Sequence, residues 1–243
     1  MAALSKSPDV LVFDYGNTLI EFGPTQAQFC DRALMDALTE EFGTCDGEAV
    51  AHVRHRHRMA PYAGNPPSYH ENQLREITQE LVKEVFGVEP SEALLERLLE
   101  VRYVSFVDSI IKPDYLDSLL EELGSRYTLA LISNYPCGRA LRDSIKKLNL
   151  MDYFRTVVIS DDVGRVKPHP IPFETMLKEL DASPEESLYV GDNWLADIQG
   201  AKRLGMQAIW TQQFISIETF LPSAGDVEPD ATIQHLTELT SIL

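Results

Sequence analysis

Asp9-Val-Leu-Val-Phe-Asp-Tyr-Gly-Asn-Thr18 contains the clearest structural signal in this chain. Residues 9–13 form a short apolar block rich in branched side chains, and turn-forming residues follow it at once. This order predicts a buried β-strand that leads into a polar loop. Similar apolar blocks predict further strands at residues 127–132, 156–159, 187–190 and 207–210.

Segments with helical periodicity separate these later strands. Leu141, Ile145 and Leu148, for example, repeat at intervals that place them on one face of a helix. Because strand and helix alternate, we expect an α/β fold with a doubly wound parallel sheet.

The alternation stops in residues 22–112, which contain helical patterns and no convincing strand. We therefore expect an α/β core domain formed by residues 1–21 and 113–243, and an inserted all-helical domain formed by residues 22–112. A loop is expected at residues 60–68, because prolines and a glycine do not fit a helix interior. The predicted helices of the insertion span residues 24–41, 47–58, 69–86 and 91–109.

The charge balance argues against polyanionic partners. The 243 residues include 21 Lys+Arg and 38 Asp+Glu, which gives a formal net charge of -17. Such a charge repels nucleic acid and acidic membrane surfaces, so we expect neither as a partner. A small substrate is expected instead, and an anionic one requires cations concentrated at its binding site.

Cysteine usage and hydropathy indicate the compartment. The chain has 3 cysteines, an odd number without zinc-ligand spacing, which is typical of reduced thiols. The N-terminus has no apolar core of signal-peptide length, and no run of ~18 apolar residues occurs. We expect a cytoplasmic protein.

Polar residues follow the predicted strands at the edge where ligands bind. Asp14 follows the first strand, Ser133-Asn134 the second, Lys167 the third and Asp192 the fourth. In an open parallel sheet, ligands bind outside the carboxyl ends of the strands. These side chains suit phosphate chemistry.

Four segments around these strand ends form an ordered set of motifs: Phe13-Asp-Tyr-Gly-Asn-Thr-Leu19, Leu131-Ile-Ser-Asn134, Gly164-Arg-Val-Lys-Pro-His-Pro170 and Val190-Gly-Asp-Asn-Trp-Leu-Ala-Asp197. In this order they resemble the motifs of the haloacid dehalogenase (HAD) superfamily. The resemblance implies a Rossmann-like core with a helical cap of the C1 type, as in subfamily I. It also implies an Mg²⁺-dependent phosphatase acting on a small phosphorylated metabolite, such as a sugar phosphate or acyl phosphate.

The resemblance also implies roles for individual residues. Asp14 is the expected nucleophile, forming an aspartyl-phosphate. The expected Mg²⁺ ligands are the Asp14 carboxylate, the Gly16 carbonyl and Asp192. Asp197 is expected to support these ligands without binding the ion itself. Carboxylates about 4 Å apart repel by roughly 4 kcal/mol at an effective dielectric constant near 20, so such a cluster requires cations.

The remaining expected site residues contact the phosphoryl group. Thr18, Ser133 and Asn134 are expected to donate hydrogen bonds to its oxygens. Lys167 is expected to neutralise charge on the nucleophile and on the group being transferred.

Gly16 departs from the family pattern. Most phosphatases of this family carry there a second Asp, which acts as general acid and base. Three explanations stay open: a leaving group that needs little protonation, another proton donor, or slow turnover. Alternatives are therefore a haloacid dehalogenase-type hydrolase, or a catalytically weak member that binds a phosphorylated ligand. A Schiff-base role for Lys83, by analogy with phosphonoacetaldehyde hydrolases, is disfavoured because Lys83 is expected on a solvated helical face.

The basic run His52-Val-Arg-His-Arg-His-Arg58 stands out in an acidic chain. Arg54 and Arg58 lie four residues apart on one helical face and are suited to gripping a second phosphate or a carboxylate. The alternative is a solvated face that balances nearby acids. Tyr62, Tyr69 and His70 border the proline-rich loop, where the sequence does not distinguish substrate contact from packing.

Overall fold

A computed structural model describes residues 6–214 and 222–243. Its strands are β1 (Val10–Phe13), β2 (Thr128–Ser133), β3 (Thr156–Ile159), β4 (Ser187–Gly191), β5 (Gln207–Thr211) and β6 (Ala231–Ile233). They form one parallel sheet in the order β3-β2-β1-β4-β5-β6. The predicted α/β fold with a doubly wound parallel sheet is confirmed, and β6 is an additional strand that the sequence did not indicate.

Strand β1 lies in the middle of the sheet, and both of its faces are buried. Leu11 and Phe13 pack into one apolar cluster, while Val10 and Val12 pack into another on the opposite face of the sheet. Strands β2 and β3 lie on one side of β1, and β4 to β6 lie on the other. The strand order therefore reverses between β1 and β4, and ligands bind at such a switch point in open α/β sheets.

Helices fill the long connection between β1 and β2. They are α1 (Pro24–Phe42), α2 (Gly47–Met59), α3 (Leu74–Phe86) and α4 (Glu92–Ser109). These helices share an apolar cluster of their own, which includes Leu34, Leu38, Leu81 and Leu98. The same connection ends with α5 (Leu116–Gly124). Further helices follow β2, namely α6 (Gly138–Lys147), α7 (Ser160–Val163), α8 (Pro170–Leu180), α9 (Gly200–Arg203) and α10 (Leu239–Ile242).

The third predicted helix begins later than expected. Residues 69–73 are not helical, since Tyr69 adopts a left-handed conformation with φ 52° and the backbone pairs with the loop before Lys167. The amide of Glu71 donates to the Gly164 carbonyl at 3.2 Å, and the amide of Val166 donates to the Tyr69 carbonyl at 2.9 Å. This segment therefore joins the helical insertion to the α/β core.

Among the helices of residues 6–214 and 222–243, none is both long and apolar enough to cross a bilayer.

Candidate active site

Lys167 lies at the centre of a buried polar cluster, and its side chain is almost completely enclosed. Its Nζ is 2.7 Å from an oxygen of Asp14 and 2.7 Å from an oxygen of Asp197. The same Nζ is 2.7 Å from the Tyr189 hydroxyl and 2.9 Å from the Ile132 carbonyl. An ammonium group has three hydrogens, so these four acceptors share them. One cation thus links the ends of β1, β2 and β4.

Asn134 holds the backbone on which Lys167 is carried. Its Oδ1 accepts a hydrogen bond from the Lys167 amide at 2.8 Å, and its Nδ2 donates to the Lys167 carbonyl at 3.1 Å. The same Nδ2 lies 3.2 Å from the Tyr62 hydroxyl, which comes from the helical insertion. Both polar ends of the Asn134 side chain are therefore engaged, and its donation to a phosphoryl oxygen stays a prediction.

The turn after β4 places Asp197. Residues Trp194–Gln199 form a wide π-helical turn, a geometry that is frequent at functional sites. The second carboxylate oxygen of Asp197 accepts from the Asn193 amide at 3.0 Å. A Cβ atom on Gly191 would overlap the Asp197 carboxylate, so this close approach requires glycine at position 191.

Two of the carboxyl groups, those of Asp14 and Asp192, are protonated more easily than usual because they are shielded from water. Burial raises the pKa of Asp14 to about 6, with Lys167 acting in the opposite direction and Asp197 adding to the rise. Burial, together with the charges of Asp14 and Asp197, raises the pKa of Asp192 well above its ordinary value. For Lys167, burial opposes the charge, but the carboxylates prevail and its pKa lies well above the usual range.

The donor set fits a magnesium ion. Asp14, Asp192 and Asp197 each offer a carboxylate oxygen, and these oxygens lie within 4.8 Å of one another. When all three carboxylates are ionised, Lys167 balances one of the negative charges and two remain, which burial disfavours unless protons or a cation offset them. A divalent cation that prefers oxygen ligands matches both the charge and the chemistry of these donors.

The other predicted site residues lie around the same strand ends. Thr18 is fully buried, and its hydroxyl lies 3.5 Å from an oxygen of Asp192, at the long limit of a hydrogen bond. Ser133 is buried at the end of β2, where its hydroxyl makes no hydrogen bond within residues 6–214 and 222–243. Gly16 lies in the loop after β1, bridged to Ile20.

Two groups in this cluster were missed at the sequence level. The Tyr189 hydroxyl and the Ile132 carbonyl both contact Lys167 Nζ. Both residues lie inside apolar strands, where a phenol is ordinary packing and a carbonyl has no side-chain signal. The spacing of Tyr189 two residues before Gly191 places both on one face of β4, which is the only hint that the sequence offers.

The basic run is partly neutralised by acids of neighbouring helices. Arg56 pairs with Glu84, His57 with Glu80, and Arg54 with Asp31. The exposed pairs agree with a solvated face that balances nearby acids. Lys83 is also exposed and pairs with Glu89, away from the buried cluster.

Sequence comparisons find phosphatases among the relatives. A glyceraldehyde 3-phosphate phosphatase of Pyrococcus furiosus is 46% identical over 68 residues, which are 28% of this chain and 28% of the relative. A ribulose-1,5-bisphosphate 5-phosphatase of Halopiger xanaduensis is 25% identical over 239 residues, covering 96% of this chain and 98% of the relative. The chain thus matches under a third of the first enzyme and nearly all of the second.

A structural comparison gives the same fold. A 2-haloacid dehalogenase from Pseudomonas syringae superposes with a TM-score of 0.74 at 24% identity, covering 97% of each chain. In addition, residues 49–211 match the family described as haloacid dehalogenase-like hydrolase. With the motif order and the sheet topology above, this match shows that the chain belongs to the haloacid dehalogenase-like hydrolases.

Proposed function

We propose that this chain is an Mg²⁺-dependent phosphatase that hydrolyses a small phosphorylated metabolite through an aspartyl-phosphate on Asp14. The observation that carries the proposal is the buried cluster of Asp14, Asp192 and Asp197 around Lys167. A dehalogenase that attacks carbon does not need a divalent cation. The excess negative charge of this cluster, by contrast, requires one. The phosphatases among the relatives support the same choice.

The residues divide the reaction into two transfers. The Asp14 carboxylate attacks phosphorus, the bond to the leaving oxygen breaks, and the leaving group takes up a proton. Water then attacks the phosphorus of the aspartyl-phosphate and loses a proton, the bond between phosphorus and the Asp14 oxygen breaks, and inorganic phosphate leaves with the carboxylate regenerated. Lys167 orients Asp14 throughout and balances charge on the transferred group. When bound by Asp14, the Gly16 carbonyl and Asp192, Mg²⁺ would supply further neutralisation of the phosphoryl oxygens.

Gly16 limits the substrates that this site can process well. Without a carboxyl group at position 16, water or another residue must protonate the leaving group. The alternative is a substrate whose leaving group needs little protonation. We therefore expect acyl phosphates and other activated phosphates to react faster than simple alkyl phosphates.

The helical insertion is proposed to act as a cap over this site. The Tyr62 hydroxyl donates to the Lys167 carbonyl at 3.3 Å, so residues 22–112 reach the loop that carries the central cation. A closed cap excludes bulk water and strengthens electrostatic contacts with the substrate.

We propose a cytoplasmic enzyme without nucleic-acid or membrane partners, supported by the acidic charge and the three free cysteines.

Phosphate release from a panel of phosphorylated metabolites tests the proposal, with Mg²⁺ and with a chelator. We expect Mg²⁺-dependent release by the wild type and at least about a 10³-fold loss in Asp14→Asn, because the amide is not a nucleophile. Asp152→Asn, an exposed Asp outside the cluster, is the matched control. Halide release from 2-haloacids instead of phosphate would establish a dehalogenase. Ligand-induced stabilisation without release would establish a binding protein.

A further inference from the structure

Arg102 of α4 is a partly buried cation without an acidic partner. Its guanidinium donates to the Thr78 hydroxyl at 3.0 Å. Within residues 6–214 and 222–243, no Asp or Glu forms an ion pair with it, although acids outnumber bases in this chain. Burial lowers its pKa to about 10, which reflects the cost of the unpaired charge. A desolvated arginine of this kind has unused donors in a planar fork.

Arg54 of α2 adds a second positive charge beside it. Arg54 pairs with Asp31 of α1, and its electrostatic neighbours include Arg58 and Tyr135. The positive charge of Arg54 also contributes to lowering the pKa of Arg102. Within residues 6–214 and 222–243, Asp31 is the one acid that pairs with either arginine, so the cluster keeps a positive excess in a chain whose formal net charge is -17.

Tyr135 connects this cluster to the candidate active site. Its ring stacks on Phe106 of α4, with ring centroids 4.1 Å apart. Arg102 and Arg54 are the positive charges that act on its hydroxyl, and that hydroxyl makes no hydrogen bond within the described parts of the chain. Tyr135 directly follows Asn134, whose side chain holds the Lys167 backbone. The arginines of the insertion thus approach the strand end that carries Ser133 and Asn134.

We propose that Arg54, Arg102 and Tyr135 form a second anion-binding subsite, which takes a carboxylate or a second phosphate of the substrate. The idea rests on the proposed phosphatase function, and it narrows the substrate class to small molecules with a phosphoryl group and another anion. Arginine forks bind both anions in bidentate fashion, and partial burial strengthens that contact. The subsite also supplies the local positive charge that an acidic protein needs to attract such a substrate.

Matched substrates test the subsite. Glycerol 3-phosphate and 3-phosphoglycerate differ at the far end by a hydroxymethyl group against a carboxylate. Fructose 6-phosphate and fructose 1,6-bisphosphate differ by a second phosphate. We expect Arg102→Gln to lower the preference for the doubly anionic member, measured as the ratio of kcat/KM values, by about ten- to a hundredfold, because a charged hydrogen-bonding partner is lost. The pair that responds identifies the anion.

Control variants separate this effect from a general loss of charge. Arg97→Gln changes an exposed arginine of the same helix, which pairs with Glu40, and should leave the ratio unchanged. Arg102→Lys keeps the charge without the fork and should give an intermediate loss. Arg54→Gln should act in the same direction as Arg102→Gln, so the test does not depend on one variant folding.

Binding measurements keep the two proposals distinguishable. Calorimetric titration of 3-phosphoglycerate and fructose 1,6-bisphosphate into Asp14→Asn, with and without Arg102→Gln, measures the subsite without turnover. Normal phosphate release with an unchanged ratio in both substrate pairs and unchanged affinity would overturn the subsite alone. Arginine-dependent binding without phosphate release from any substrate would uphold the subsite and overturn the hydrolase.

Discussion

The backbone conformation of the loop after β1 does not require a glycine at position 16. Its conformation lies outside the left-handed region, and an added Cβ would meet only the Cβ of Phe22, at an ordinary 3.8 Å. Its neighbour Asn17, by contrast, has a φ of 60°. The loop therefore has room for a side chain at position 16, and in the proposed reaction we expect the missing carboxyl group to matter for proton transfer and not for folding.

Gly16→Asp should increase phosphate release from alkyl phosphates by about a hundredfold, because a positioned carboxyl group can protonate a poor leaving group. p-Nitrophenyl phosphate, whose leaving group needs little protonation, should gain much less. Steady-state phosphate release with both substrates measures the difference.

Gly16→Asn is the control, since its side chain has nearly the same size and does not ionise. It should show no selective gain with alkyl phosphates. Equal gains in the two variants, or a Gly16→Asp protein that does not fold, would contradict the reading of this loop.

At the level of secondary-structure elements, backbone hydrogen bonds of residues 69–71 connect the insertion to the loop of residues 164–166. Glu71 lies at this junction, where its carboxylate accepts hydrogen bonds from the Ser160 hydroxyl and, at 2.9 Å, from the Asn72 amide. Burial nevertheless dominates and raises the pKa of Glu71 from 4.5 to about 7. The folded state thus favours the protonated carboxyl group more than the unfolded state does.

The stability of the wild type should consequently fall as pH rises from about 4.5 to about 7, by roughly 2–3 kcal/mol from this group, since the folded state binds more protons there. Glu71→Gln resembles the protonated form, so it should lack this part of the loss. Denaturant unfolding at pH 5 and pH 8 gives the difference between the two proteins.

Glu76→Gln, at an exposed position on α3, should follow the wild-type pH dependence. If Glu71→Gln also followed it, Glu71 would be ionised in the folded protein at little cost, and its carboxylate would be well solvated.

For the whole molecule, the distribution of charge is more informative than its sum. About half of the lysines and arginines pair with acids outside this cluster, as Arg75 does with Glu92 and Glu96. Within residues 6–214 and 222–243, Lys167 is the one cation that pairs with the acids at the sheet edge. The fold therefore keeps an unbalanced negative cluster whose free energy a divalent ion should lower.

Mg²⁺ should raise the Tm of the wild type, and a concentration of 100 times Kd should stabilise the fold by about 2.7 kcal/mol, or roughly 5–10 °C at this chain length. Asp192→Asn should lose most of this shift, because it removes one expected ligand. Differential scanning fluorimetry with Mg²⁺ and with a chelator measures both. Asp152→Asn should retain the full shift, and a full shift in Asp192→Asn would place the ion elsewhere.

Short-range patterns were enough to predict most elements and which polar side chains lie together at one edge of the sheet. Apolar blocks that end in turn-forming residues give the strands, and polar residues at strand ends must meet at one edge of a parallel sheet. For this reason Asp14 and Asp192 were expected together although 178 residues separate them. Helical periodicity likewise placed α1, α2 and α4 within two residues of their observed ends.

Contacts between distant segments were beyond such patterns. The pairing of residues 69–71 with the loop near Gly164 ended a predicted helix, and nothing local to either segment indicates the other. The Tyr189 hydroxyl on Lys167 and the approach of Arg102 to Tyr135 are of the same kind. A repeating pattern tells which face of an element is buried, because burial depends on polarity. Which side chain meets that face depends on how the elements pack, and packing is settled only by the three-dimensional arrangement of the whole chain.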